Sequence, residues 1–164
     1  MRLIRLGIVT ISRFFASAVF LAGAVKNILF WHETEKNIMN VLSDWQSHFG
    51  FSQDIQIFFS ILISWSSVLL LGATLLMMIG GLFLLLGVRE RLGILLLIMF
   101  LSPVTVLYHP FWWADSVSHE LQTVMFLKNL AILGCLIQLL CVETSSQGAR
   151  MSEEESERLS SMRF

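Results

Sequence analysis

Charged residues are scarce in this chain. Asp, Glu, Lys and Arg together make up 14% of the 164 residues, whereas apolar residues make up 55%. Soluble domains carry about 25% charged residues. Only two prolines and one tyrosine are present, against thirteen phenylalanines. This composition excludes an ordinary soluble globular domain and indicates an integral membrane protein.

Motifs that carry chemistry are also absent. The sequence has no glycine-rich phosphate loop, no His and Cys spacing typical of a metal site and no basic patch for nucleic acid. Cys135 and Cys141 are six residues apart, about 600° around a helix, so they form neither a Cys-x-x-Cys pair nor one face. We expect no metal and no nucleic-acid partner, and no nucleophile, cofactor motif or paired acid supports catalysis by this chain alone.

Four long apolar runs dominate the sequence. They are Leu6 to Phe30, Ile55 to Gly87, Leu92 to Leu107 and Leu121 to Val142. A helix needs roughly 20 apolar residues to cross a hydrocarbon core about 30 Å thick. The runs predict an all-α membrane protein, a bundle of four transmembrane helices.

Basic residues alternate between the connections. Arg2 and Arg5 precede the first run, Arg89 and Arg91 follow the second, and Arg150, Arg158 and Arg163 follow the fourth. Basic connections stay on the cytoplasmic side during insertion, so we expect a multi-pass protein of the cell (inner) membrane with both termini in the cytoplasm. Residues 1–143 form the predicted transmembrane domain, and residues 144–164 a polar cytoplasmic tail that is frayed or weakly helical.

Three further features shape the expected bundle. Thr34 to His48 predicts an amphipathic helix between the first two spans, lying in the membrane interface or covering the bundle, with Gly50 as its stop signal. The second run would extend about 50 Å as one helix, which requires tilt, a protruding end or a break, for instance near Gly72. Pro103 predicts a kink in the third span.

Arg13, Lys26 and Lys128 lie inside apolar runs, where a cation costs about 3 kcal/mol at the bilayer centre. Lys26 is near the outer end of its run, so its ammonium either reaches the headgroups or serves a site. Arg13 shares a helix stripe with small and polar residues that is either a packing seam or a ligand contact. Lys128 and the adjacent Asn129 are predicted to point into the bundle near His109.

Aromatic residues follow the third run in the sequence Tyr-His-Pro-Phe-Trp-Trp, which includes His109 and Trp112. This segment is either part of an interfacial aromatic belt or a platform for a planar ligand such as a quinone ring. All four histidines fall in the two outer connections, without the spacing of a metal site.

The chain resembles the DoxX family of small four-helix membrane proteins. The matching segments are Arg13–Lys26 with Ala22-Gly23-Ala24-Val25-Lys26, Gly80–Gly87 followed by Arg89 and Arg91, His109–Trp112 and Phe126–Gly134. The resemblance implies a four-helix membrane fold, and some relatives are subunits of quinone-coupled oxidoreductases, including thiosulfate:quinone types. Relatives often carry Glu shortly before the paired glycines, where this chain has Met77, so a role assigned to that Glu does not carry over.

Three functional hypotheses follow. In the first, the protein is the membrane subunit of a quinone-linked oxidoreductase complex, and its soluble or membrane partner holds the redox cofactor. The second is a carrier for a small solute, and the third a non-catalytic scaffold or assembly protein. For the first, the expected quinone-binding residues are Lys26, His109, Trp112, Lys128 and Asn129.

Overall fold

The computed structural model describes residues 2–49 and 51–161, and the side chains of residues 7–49 and 51–143. The helices are α1 Arg2–Leu29, α2 Trp31–Phe49, α3 Gln53–Ser64, α4 Ser66–Leu86, α5 Glu90–Tyr108 and α6 His119–Ser161, with a 3-10 turn at Phe111–Trp113. Four segments are long and apolar enough to cross a membrane: Gly7–Leu29, Ser66–Leu86, Glu90–Trp113 and His119–Glu143. The predicted four-span α-helical fold is confirmed.

The spans pack in chain order. Helix α1 packs on α4, α4 on α5 and α5 on α6, while α1 and α6 share a much smaller contact. Four crossings place the end of α1, the start of α4, the end of α5 and the start of α6 at one end of the bundle, which we call the α2 end. The buried core between them is formed by Phe20, Ala24, Met77, Leu84, Ile94, Leu97, Leu101, Leu136 and Leu139.

Two glycines bring α4 and α5 into direct backbone contact. A Cβ atom on Gly93 would lie 2.8 Å from Phe83 Cβ and 2.9 Å from the Gly80 carbonyl oxygen. A Cβ on Gly80 would meet Leu97 at 2.8 Å. Gly81, the next residue, faces α1 instead, where Leu21 lies at 3.0 Å. The paired glycines therefore let α4 approach a helix on each side, as small residues do in membrane bundles.

The second apolar run is broken at Trp65, and not near Gly72 as predicted. Trp65 has φ −101° and ψ 18°, and its amide bonds to the carbonyls of both Ile61 and Leu62. The Ser64 hydroxyl donates to the Ser60 carbonyl, a bond typical of serine near helix bends. Gly72 lies inside α4 with open space around it. The break leaves α4 as a span of ordinary length and α3 as a separate short helix.

Helix α2 lies across the α2 end of the bundle. The Ser67 hydroxyl, in the first turn of α4, donates to the Glu35 carboxylate. Farther along α2, the Trp45 indole donates to the Leu107 carbonyl at the end of α5, at 2.9 Å. Of the two arrangements expected for this amphipathic helix, the structure shows it covering the bundle. The predicted stop signal, Gly50, lies outside the described residues.

Helix α5 continues past its proline, and helix α6 continues through the polar tail. Helix α5 continues through Pro103 to Tyr108, and the predicted kink stays a prediction. Helix α6 extends without a break to Ser161, so the tail is helical where a frayed or weakly helical end was expected. The tail is rich in glutamate, which favours helix without needing a packed face.

Candidate functional site

A cavity of about 810 Å³ lies beneath α2, between α1, α4 and α5. Its wall is mostly apolar and is formed by residues of the α2 ends of α4 and α5, such as Leu69, Leu76, Phe100 and Val104. Helix α2 lines its upper side with apolar residues, including the buried Leu42. Cavities of about 300–1,000 Å³ hold small organic ligands, so this one is large enough for a ligand.

Polar groups gather where the cavity meets α1 and α2. Lys26 lies in the last turn of α1, Glu33 and Asn37 lie one turn apart on α2, and Tyr108 ends α5. Among the described side chains, Lys26 has no ion pair within 4.0 Å. The cavity therefore offers a cation, a carboxylate, an amide and a phenol hydroxyl beside an apolar interior, an arrangement suited to an amphipathic molecule.

The floor of the cavity is neutral. Asn27 donates from Nδ2 to Thr74 Oγ1 at 3.3 Å, and the same amide lies 3.9 Å from Met77 Sδ. Met77 is 7% exposed and packs over Gly23, where a Cβ atom would lie 2.4 Å from Met77 Cε. A thioether therefore stands at this depth, and the floor formed by Asn27, Thr74 and Met77 holds no charge.

Only Lys26 among the five predicted site residues lines this cavity. His109 and Trp112 lie between α5 and α6 instead, and Lys128 and Asn129 lie more than two turns into α6. His109 Nδ1 is 2.9 Å from Gln122 Oε1, and Asn129 is buried at 7% exposure.

The prediction that Lys128 is buried is wrong. Its side chain is exposed, and its ammonium contacts Met125 Sδ at 3.4 Å. Successive helix positions differ by 100°, so burial of Asn129 turns Lys128 outward, and helical side chains point toward the N-terminus. The ammonium therefore extends one turn back toward the α2 end, as snorkelling lysines do.

The aromatic residues near His109 pack on one another. Trp113 lies 4.6 Å from Trp45 and 4.7 Å from the His48 imidazole, ring centroid to centroid, and the His48 contact is stacked at 15°. Phe111 in turn lies 5.1 Å from Phe126 of α6. These contacts tie α2 to the α5–α6 connection, so the geometry favours a packing role over a platform for a ligand.

Arg13 joins three helices at the opposite end of the bundle. Its guanidinium forms ion pairs with Glu90 of α5 and, at 3.3 Å, with Glu143 of α6. Ser17 is fully buried beside it, and its hydroxyl donates to the Arg13 carbonyl. The Arg13 stripe is thus a packing seam. Sequence reasoning missed both glutamates, although each ends an apolar run on the same side as Arg13.

Asp115 shapes the start of α6, outside the spans. Its carboxylate accepts hydrogen bonds from the Ser118 hydroxyl and amide, which lower the pKa of Asp115. The His119 amide bonds to the Asp115 carbonyl at 2.8 Å. Among the described residues, no group of three or more His, Cys, Asp or Glu side chains could hold a metal ion.

Together, the four apolar spans and the covered cavity define a small multi-pass membrane protein with a ligand-sized cavity at one end. A family model described as DoxX matches residues 8–110, more than half of the chain, and the protein belongs to the DoxX family, a small multi-pass membrane family. The matched region contains every residue that lines the cavity and ends before α6. No match was found among curated proteins or among solved structures.

Proposed function

We propose that this protein is a membrane subunit that binds the ring of a quinone in the cavity beneath α2 and works with a partner that carries the redox cofactor. The observation that supports this is the cavity itself, about 810 Å³ of mostly apolar space with Lys26 and Tyr108 at its polar side. A quinone has the matching chemistry, a flat ring with two carbonyl acceptors and a long apolar tail.

The polar groups at the cavity have distinct tasks in this proposal. The Lys26 ammonium donates to one quinone carbonyl, and the Tyr108 hydroxyl and Asn37 amide are the other donors available. A cation beside an apolar interior also favours the negative charge that develops on a quinone oxygen when the partner supplies electrons. The apolar walls on α4 and α5 hold the start of the tail.

Our proposal for the orientation of the protein follows its basic connections. We place the protein in the inner membrane with both termini in the cytoplasm, because the basic residues Arg89 and Arg91 lie between α4 and α5, away from the α2 end. The cavity then opens at the outer leaflet, and a partner that reaches the quinone ring approaches from that side.

Lys26→Met is expected to weaken quinone binding about tenfold, because one charge-assisted hydrogen bond of about 1.5 kcal/mol is lost. Binding of ubiquinone and of menaquinone would be measured by titration of the protein in nanodiscs, and the quinone content of gently purified protein would be compared. Lys128→Met is the matched control, because it removes an exposed lysine from another span without touching the cavity.

Two outcomes of these binding measurements would contradict the proposal, and each favours a different alternative. A loss confined to Lys128→Met would contradict the proposed cavity and place the site beside Lys128 on α6. Wild-type protein that binds neither quinone would overturn the proposal and favour a scaffold or assembly role.

Gly23→Ala tests whether the ligand reaches the floor of the cavity, because Gly23 packs against Met77 on the side away from the cavity. The new Cβ would lie 2.4 Å from Met77 Cε, the end of a flexible side chain that can move. We expect the fold to persist while Met77 shifts into the cavity and quinone binding weakens a few-fold. Gly134→Ala, where a Cβ meets nothing within 4 Å, should leave binding unchanged. Unaltered binding in Gly23→Ala would show that the ring does not reach the floor.

A further inference from the structure

Helix α3 carries an apolar face that the other described helices leave exposed. Ile57, Phe58 and Ile61 are 52%, 57% and 53% exposed, and Trp65 at the break is 59% exposed. Positions separated by one, four and eight residues fall within about 100° on a helix, so these four side chains form one continuous surface. We call it the α3 face.

Polar contacts fix the direction in which the α3 face points. Gln46 of α2 donates from Nε2 to the Gln56 carbonyl and to the Ser60 hydroxyl, both at 3.0 Å. Gln56 and Ser60 lie on the side of α3 away from the α3 face, and Phe59 is buried. Helix α3 is therefore held against α2 by its polar side, and its apolar surface faces outward.

The contacts of α3 with its neighbours show where it lies along the length of the bundle. Helix α2 lies across the α2 end, from the first turn of α4 at Ser67 to the last turn of α5 at Leu107. Helix α3 runs beside α2 and joins α4 at Trp65. Its 12 residues extend about 18 Å, too short to cross the hydrocarbon core. Helix α3 thus lies beside α2 at the end of the bundle where the spans end.

We propose that α3 is inserted in the membrane, with its apolar face among the acyl chains of the leaflet at the α2 end. The neighbouring span α4 also exposes apolar side chains outside the cavity lining, including Leu71 and Leu75 at 50% and 47%. Helices that insert one apolar face lie about 5–10 Å into the boundary between headgroups and chains. Tryptophan prefers that depth, and Trp65 stands at the break. The proposal does not depend on quinone binding.

Site-specific fluorescence quenching tests the insertion. In a full-length background with Cys135→Ala and Cys141→Ala, a bimane label is attached to Phe58→Cys or to Asn40→Cys, an exposed position on α2 away from the cavity lining. The protein is reconstituted in vesicles whose phosphatidylcholine is brominated near the headgroup or near the chain end. We expect loss of fluorescence at Phe58→Cys, larger with bromine near the headgroup, and no loss at Asn40→Cys.

Two results would overturn the proposal. Quenching of Phe58→Cys by aqueous iodide, without quenching by brominated lipid, would place the α3 face in water. Protection from both quenchers, together with a disulfide between two Phe58→Cys chains, would show that a second copy covers it. Ile61→Cys lies on the same face and carries the same expectation if Phe58→Cys does not fold.

Discussion

Gly93→Ala is expected to lower the stability of the bundle by about 2–3 kcal/mol, near the upper end of the cost of overpacking a core. The added methyl group would lie 2.8 Å from Phe83 Cβ, 2.9 Å from the Gly80 carbonyl oxygen and 3.3 Å from the Leu84 amide nitrogen. These three atoms belong to the backbone or its first side-chain carbon, so no rotamer change relieves the clash. Helices α4 and α5 must separate along their whole contact.

The measurement is thermal unfolding of the purified protein in detergent, followed by size-exclusion chromatography. Gly134→Ala is the matched control, because it adds the same methyl group inside α6 where nothing lies within 4 Å. The control should match or slightly exceed the wild type, since alanine favours helix over glycine. Equal unfolding temperatures for Gly93→Ala and Gly134→Ala would mean that α4 and α5 do not approach this closely.

Arg13→Met is expected to destabilise the bundle by about 2–3 kcal/mol, at or below the lower limit for breaking a fully buried ion pair, because the Arg13 side chain is 25% exposed. The substitution removes the cation shared by Glu90 and Glu143, whose side chains are 11% and 18% exposed. Two carboxylates then keep their burial without this partner. Methionine retains much of the apolar stem, so lost packing contributes little.

A set of combined variants separates the ion pairs from a general effect of mutation. Adding Glu90→Gln and Glu143→Gln to Arg13→Met should restore most of the lost stability, because a neutral amide is less costly to bury than a carboxylate that has lost the Arg13 cation. The unfolding temperatures of the single, double and triple variants would be compared. If the stability losses of the single substitutions simply add in the combined variants, Arg13 and the two glutamates do not stabilise the fold by interacting with each other.

The architecture of the spans was predictable because it depends on composition. Uncharged runs of about 20 residues have few alternatives to crossing a membrane, and Thr34 to His48 carries a helix period that the structure confirms within α2. The break at Trp65 was not predictable, because tryptophan is an ordinary helix residue. The break accompanies the packing of α3 back on α2, where Gln46 bonds to Gln56 and Ser60, and no residue pattern at Trp65 indicates that arrangement.

The candidate site was predictable only in part. Lys26 was identified because a lysine within an apolar run requires an explanation. The cavity itself arises from the way α2 covers α4 and α5, which no local pattern encodes. Which of Lys128 and Asn129 is buried was not predictable for the same reason. Both are polar in an apolar run, and the rotation of α6 about its axis decides which of them is buried.

Helix α6 is continuous from the α2 end to a position beyond the opposite end of the bundle. Its 43 residues extend about 64 Å without a break. The ion pair of Glu143 with Arg13 lies part-way along it. A single secondary-structure element therefore joins the aromatic contacts near α2 to the charged contacts at the opposite end of the bundle.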